Sequence, residues 1–237
     1  MIISDLSLRR RLVALGATAL VLLALAGCGG SSPPHRTTPA INAAADGRIA
    51  REAQLKLSDL PSGWQQLDSG QANSEAGCEG IDAARAAVSA RQKSPDFASG
   101  NGNTKAQGFV YMYADVSRAT HAYAQLSSQS TRRCVADALG RALAAQKHAG
   151  ATVGTITSGQ VAMSPIGDER AEGRFTIPIS ASGLTISIYV DLVFVRTGRA
   201  VAGLTLESVL IPFDETLRDR LTTTVVDRLK AGLGHAA

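Results

Sequence analysis

Three stretches in the second half of the chain alternate apolar and polar residues with period two. From Ala171 to Ser180 the odd positions are Ala, Gly, Phe, Ile and Ile. From Leu184 to Phe194 the even positions are Leu, Ile, Ile, Val, Leu and Phe, and from Ala202 to Leu210 they are Ala, Leu, Leu, Ser and Leu. This pattern predicts strands with one face buried. The Ser182-Gly183 and Thr197-Gly198-Arg199 segments between them read as hairpin turns. A slip of one residue would turn a whole strand over, so shared faces define the register. The first hairpin is expected to pair Phe175 with Val190, Ile177 with Ile188 and Ile179 with Ile186. A three-residue connection in the second would pair Val190 with Leu206, Leu192 with Leu204 and Phe194 with Ala202. The same register sets Arg174 opposite Asp191 as an exposed cross-strand ion pair. Pro178 cannot donate to a ladder, so its strand is expected to be an edge there, or its nitrogen to face outward.

Upstream, Gly108–Ala114 is apolar on both faces, with Phe109, Tyr111 and Tyr113 on one and Val110, Met112 and Ala114 on the other. That predicts a strand covered on both sides. Helical spacing marks Arg48–Leu57, Ile81–Arg91, a run opened by Ser117 with Ala119, Ala122, Tyr123 and Leu126, and Cys134–Gln146. Val153–Met163 reads as a weaker strand. Asp214 is expected to cap a last helix whose buried stripe is Leu217, Leu221, Val225 and Leu229. Trp64 is expected to pack into the core. The fold class that follows is α+β: one domain, residues 47–237, with a mainly antiparallel sheet covered by helices as an α/β sandwich.

The first 46 residues obey a different rule. Arg9-Arg10-Arg11 precedes the apolar run Leu12–Ala26. That run is short for a membrane span, which needs roughly 20 residues, and suits a signal-peptide core of roughly 7–15. The run ends in Leu25-Ala26-Gly27-Cys28. Residues 29–46, GGSSPPHRTTPAINAAAD, hold almost no large apolar side chain and read as a flexible tether that includes His35.

Composition removes several classes of function. The chain of 237 residues is 45% hydrophobic, too apolar for a disordered protein, and only 4% aromatic, too few for a base-stacking surface. The net charge is +4, and Arg9 to Arg11 against Asp5 supply half of it. What remains is no basic footprint, so no nucleic-acid partner is expected.

Leu25-Ala26-Gly27-Cys28 resembles the lipobox of bacterial lipoproteins. The resemblance implies residues 1–27 as a signal peptide, lipidation of the Cys28 sulfur, and cleavage before Cys28. The product would be held by its acyl chains on the outer face of the cytoplasmic membrane. Cys78 and Cys134 are then left as an even pair in an oxidising compartment, which implies a disulfide; a pair of free thiols is the alternative.

The chain shows no G-x-S-x-G, H-E-x-x-H, P-loop or G-x-G-x-x-G pattern. Of the four histidines, His35 and His235 lie in the tether and tail. His121 and His148 have no cysteine or carboxylate at ligand spacing. Asp168-Glu169 and Asp214-Glu215 read as turn and cap residues. No cofactor, metal or catalytic residue is assigned. The segments Leu57-Ser58-Asp59-Leu60-Pro61-Ser62-Gly63-Trp64, Ile166-Gly167-Asp168-Glu169 and Val195-Arg196-Thr197-Gly198-Arg199, with a cysteine after a strand–helix unit, resemble a group of actinobacterial exported lipoproteins and the extracellular sensor domains of PknH-type receptor kinases. This resemblance implies a non-catalytic ligand-binding or sensor module of unknown ligand; a small molecule or a lipid is the expected class of partner. A carrier of hydrophobic lipids and, third, a cell-envelope hydrolase with a dispersed site are the alternatives, and the oligomeric state is left open.

Overall fold

The chain divides into two units, Met1–Pro39 and Ala40–Ala237. The computed structural model describes residues 42–67, 77–145 and 151–234, all in the second unit. The signal segment, Cys28, His35, His148, His235 and the tether up to residue 41 lie outside the described residues.

The elements run α1 (Ala43–Ala53), β1 (Trp64–Gln66), α2 (Glu79–Ala86), β2 (Val88–Lys93), β3 (Phe97–Ser99), β4 (Thr104–Tyr113), α3 (Val116–Leu126), α4 (Gln129–Ala145), β5 (Ala151–Val153), β6 (Thr157–Gln160), β7 (Glu169–Ala181), β8 (Leu184–Thr197), β9 (Ala200–Val209) and α5 (Glu215–Gly234). The strands form one sheet in the order β1-β3-β4-β9-β8-β7-β5, with β2 also on β4 and β6 also on β7. Every pairing is antiparallel. The protein is α+β, as the pattern implies.

Helices cover both faces of the sheet. On one, α1 and α5 lie over Val110, Met112, Val193, Val195, Ala202, Leu204 and Leu206. On the other, α2, α3 and α4 lie over Tyr111, Tyr113, Phe175, Ile177, Val190 and Phe194. The two-sided cover expected for β4 holds. The one-sided cover expected for β7, β8 and β9 does not, because Leu192 to Val195 is an unbroken apolar run and both its faces find helices.

This second layer explains a register error. The β7–β8 pairing is as read from the sequence, with Phe175 on Val190, Ile177 on Ile188 and Ile179 on Ile186. In the next hairpin, however, Phe194 pairs with Gly203 and Val195 with Ala202, around the two-residue turn Gly198-Arg199. The even residues of β8 face α3 and α4, whereas those of β9 face α5. Matching the two apolar sets as one face therefore shifts the ladder by a residue. Gly203 is needed where it stands, since a Cβ there would lie 2.1 Å from Cζ of Phe109.

Other boundaries move for local reasons. The helix expected over Ile81–Arg91 stops at Ala86, and Val88–Lys93 joins β4 as β2. The α3 cap is Asp115, whose Oδ1 accepts from Arg118 N, rather than Ser117. Helix α4 begins at Gln129, ahead of the expected Cys134, because Ser128 Oγ accepts from Thr131 N. The Val153–Met163 strand is split into β5 and β6. Pro178 lies at the split: Gly154 N donates to Pro178 O, so the Pro178 nitrogen also faces that side, where no ladder bond is needed.

Helix α1 starts at Ala43, five residues ahead of the expected Arg48 and inside the segment read as tether. Asn42 Oδ1 caps it by accepting from Ala45 N, and Asp46 is 1% exposed. Asp46 takes a two-pronged contact from Arg199, at 2.5 and 2.8 Å, and a hydrogen bond from Ser89 Oγ. Burial opposes ionisation of Asp46, but the hydrogen bonds from Arg199 and Ser89 outweigh it and hold its pKa below the ordinary carboxylate value. The contact ties the first helix to the β8–β9 turn. Asp46→Ala is expected to cost about 2–3 kcal/mol, the range for a hydrogen-bonded charge. Amide exchange should show α1 losing protection before the sheet does; equal loss everywhere would refute a local role.

Candidate functional site

Under the start of α5, the sheet face that the alternation marks as polar is closed over by protein. Glu172 and Arg174 of β7, Asp191 of β8, and Arg218 and Asp219 of α5 meet there. Glu172 and Asp191 are fully buried, and the Arg218 side chain is 3% exposed. Arg174 grips Asp191 with Nε and Nη2 at 2.7 and 2.9 Å. The Arg174–Asp191 pair is therefore present as read from the register, but it is not exposed. Burial in a third layer is the reason.

Glu172 is the least satisfied member. Arg218 Nη1 comes to 2.7 Å of its Oε2 and Arg174 Nη2 to 3.5 Å of Oε1. Neither carboxylate oxygen gains a well-angled hydrogen bond. Burial pushes the Glu172 pKa up to about 7, against the pull of Arg218 and with help from the negative charge of Asp191. Asp219, at the rim, accepts from Arg218 Nε and Ser164 Oγ. Burial opposes its charge, yet those two bonds keep its pKa low. Arg218 follows Leu217 on a helix opened by Asp214, whose Oδ1 accepts from Leu217 N as expected. A charged residue beside the apolar stripe Leu221, Val225 and Leu229 was a readable sign of a buried partner. Glu172 gave no such sign, since it sits in a properly alternating strand.

The cluster is buried at Glu172, Asp191 and Arg218 and partly open at Arg174 and Asp219. The two best-formed clefts each have room for about one water. One lies between α3, α4 and β7, the other between β8, β9 and α5. Burial lets Glu172 hold a proton near neutral pH, and the residue also lines the cleft between α3, α4 and β7. Elsewhere, Asp168 and Glu169 both pair with Arg196, and Asp168 also accepts from Gly198 N, so they brace the β8–β9 turn. His121 is exposed on α3. Among the described residues no group of three or more His, Cys, Asp or Glu is placed to hold a metal. No described helix is long and apolar enough to cross a membrane.

Cys78 and Cys134 are joined in a disulfide, with Cα atoms 5.8 Å apart. It fixes the start of α2 to the first half of α4. Trp64 is only half-buried, edge-on to Phe213 at 6.5 Å. Large apolar side chains surface where β8 begins and β9 ends: Leu184 is 74% exposed, Leu210 60% and Ile211 72%. The two strand ends are held together by Leu210 N donating to Ser187 O.

No family model and no curated protein matches the chain. Among solved structures, the extracellular domain of PknH from Mycobacterium tuberculosis overlaps at 13% identity and a TM-score of 0.47, covering 78% of this chain and 96% of that one. LpqN of Mycobacterium tuberculosis, described as involved in cell envelope biogenesis, overlaps at 12% identity and a TM-score of 0.28, covering 71% and 77%.

Proposed function

We propose that this chain is a lipid-anchored extracytoplasmic binding or sensor-like module without a catalytic role. The observation that supports this reading is the division of its cysteines. Cys78 and Cys134 are bonded to each other, as suits an exported protein. That leaves Cys28, the last residue of the Leu25-Ala26-Gly27-Cys28 sequence, as the cysteine available for acylation. Two or more acyl chains hold a protein stably on a bilayer where one does not. The folded unit then works at the outer face of the cytoplasmic membrane, on ligands met there.

The packing favours recognition at the surface over carriage of a lipid inside. A lipid carrier needs a void the size of an acyl chain, and the best-formed clefts among the described residues take about one water each. The pairing of Arg174 with Asp191 and of Arg218 with Glu172 likewise supports a structural role for the buried cluster. Cys28→Ala should move the protein from the membrane pellet to the soluble fraction on cell fractionation, with its folded unit unchanged. A Cys28→Ala protein that stays as firmly membrane-bound as the parent overturns the anchor.

A further inference from the structure

The sheet ends differently on its two sides. On the β4 side, β2 carries Arg91 and Lys93, both exposed. Cations on an edge strand are one way natural sheets avoid pairing with other chains. On the β7 side the edge is β5 and β6. From Ala151 to Met163 it reads ATVGTITSGQVAM, with no charge and no proline. All of β6 is exposed.

The ladder shows what this edge offers. Val161 N donates to Glu172 O, and β6 pairs with β7 through Thr157–Thr176, Ser158–Phe175, Gly159–Arg174 and Gln160–Gly173. In an antiparallel ladder the bonding residues alternate. Thr157, Gly159 and Val161 therefore bond inward to β7, and the N–H and C=O groups of Ser158 and Gln160 point away from the sheet.

Gly159 is the second observation. A glycine inside a strand weakens it and marks a bulge, a bend or the close approach of another backbone. Nothing in this chain requires Gly159: its backbone is not left-handed, and a Cβ there would meet no atom within 4 Å. Nearby Gly154, by contrast, is required, because its Cβ would lie 2.9 Å from Pro178 Cγ.

We propose that β6 pairs antiparallel with β6 of a second copy of this chain, about a two-fold axis at Gly159. In that register Ser158 of each copy bonds to Gln160 of the other. Gly159 faces Gly159 as a non-hydrogen-bonded pair, the position where opposing Cα atoms come closest, about 4.5 Å. The missing side chains leave room for that approach. An isologous contact brings like residues near one another, so an edge without charges is complementary to itself. The result is one sheet continuous through both molecules. The pairing does not depend on the lipid anchor.

The test uses the full chain in detergent. Sedimentation of the parent protein should show a concentration-dependent dimer. Ser158→Pro removes an outward N–H and leaves the inward ladder, so the dimer should be lost with the melting curve unchanged. Should that variant fold poorly, Gly159→Glu sets two carboxylates face to face at an open position and should also give a monomer. Under mild oxidation Gly159→Cys should form an inter-chain disulfide at least about tenfold faster than Thr157→Cys, whose side chain would oppose Val161 of the other copy. A parent protein that stays monomeric, a dimer that survives Ser158→Pro or Gly159→Glu, or equal cross-linking of the two cysteine variants overturns the proposal. A monomeric result would leave the edge to an extended peptide of another protein.

Discussion

Replacing Arg218 with Met will destabilise the folded unit by about 3–5 kcal/mol above about pH 8, where Glu172 is ionised, the range for removing one partner of a buried ion pair. The methionine matches much of the volume but leaves Glu172 with only the 3.5 Å contact from Arg174. The loss should be smaller in acid, where Glu172 can take up a proton. Glu172→Gln tests the same cluster from the other side and with the opposite sign. In the folded protein burial raises the Glu172 pKa to about 7, whereas in the unfolded chain it titrates at about 4.3. Between those values the folded state binds more protons than the unfolded state, so stability falls as pH rises through this window. Below about pH 4.3 the benefit is complete; above about pH 7 no more is lost. The size is on the order of 4 kcal/mol, from roughly 1.4 kcal/mol per unit of pKa difference. Glutamine mimics the protonated acid and should flatten that limb. Asp46, Asp59 and Asp219 have lowered pKa values, against burial, through bonds from Arg199, Arg228 and Ser164 respectively. Their contribution is present above about pH 4 and is lost below it. The parent should therefore be most stable near pH 4–5, and the Gln variant should hold a plateau towards pH 8. Urea midpoints at intervals from pH 4 to 8 read this directly. A Glu172→Gln protein that keeps the parent's slope would show that another group titrates there.

The physics of the cluster also shows what sequence pattern can and cannot convey. Period two in β7 and β8 was enough to place Arg174 opposite Asp191 and Phe175 opposite Val190, because one hairpin with a two-residue turn has few registers. Alternation says which residues share a face. It does not say whether the face called polar meets water. That depends on α5, which is more than 20 residues further along the chain than Asp191 and lies over the Glu172 face only through tertiary packing. The clue available was Leu192 to Val195, four apolar residues in a row, which demands cover on both sides. Followed through, it would have buried Asp191 and corrected the β8–β9 register, since Val193 and Val195 face the same helix as Leu204 and Leu206. The missed strand β2 has a different cause. Val88–Lys93 is too short and too polar for a periodic signal, and it exists because β4 offers an open edge to its residues. The sequence locates the α5 cap at Asp214 but misses the α3 cap by two residues, because Asp115 and Ser117 compete and Asp115 wins through Arg118 N. The disulfide was legible because it needed only counting: three cysteines, one accounted for by the N-terminal motif.

Removing that disulfide should have the other large effect on stability. The bridge closes residues 78 to 134, a sequence separation of 56. Chain-entropy arithmetic for a loop of this length gives about 4 kcal/mol, most of it from restricting the unfolded chain. A Cys78→Ala, Cys134→Ala protein is the suitable variant, because Cys78 is 1% exposed and alanine brings no polar group to a buried position. At about 2–4 °C per kcal/mol for a domain of this size, the melting point should fall by roughly 10 °C. Two further readouts separate a constraint on the unfolded state from a contact in the folded one. If the constraint dominates, the near-ultraviolet circular dichroism below the melt should match the parent, because α2 still packs through Gly80, whose hydrogen faces Thr131 Oγ1 where a Cβ would sit at 2.3 Å. The urea m-value should rise, since an uncrosslinked chain exposes more surface on unfolding. If instead the bridge acts mainly by holding α2 against α4, the aromatic signal will change. Amide protection will then fade first in Glu79–Ala86 and in the Cys134 turn of α4, while the m-value stays at the parent's value. A melting point within about 2 °C of the parent would exclude both, and would leave the hydrophobic layer of Val135, Phe175, Ile177 and Val190 beneath α4 as what holds this side of the sheet.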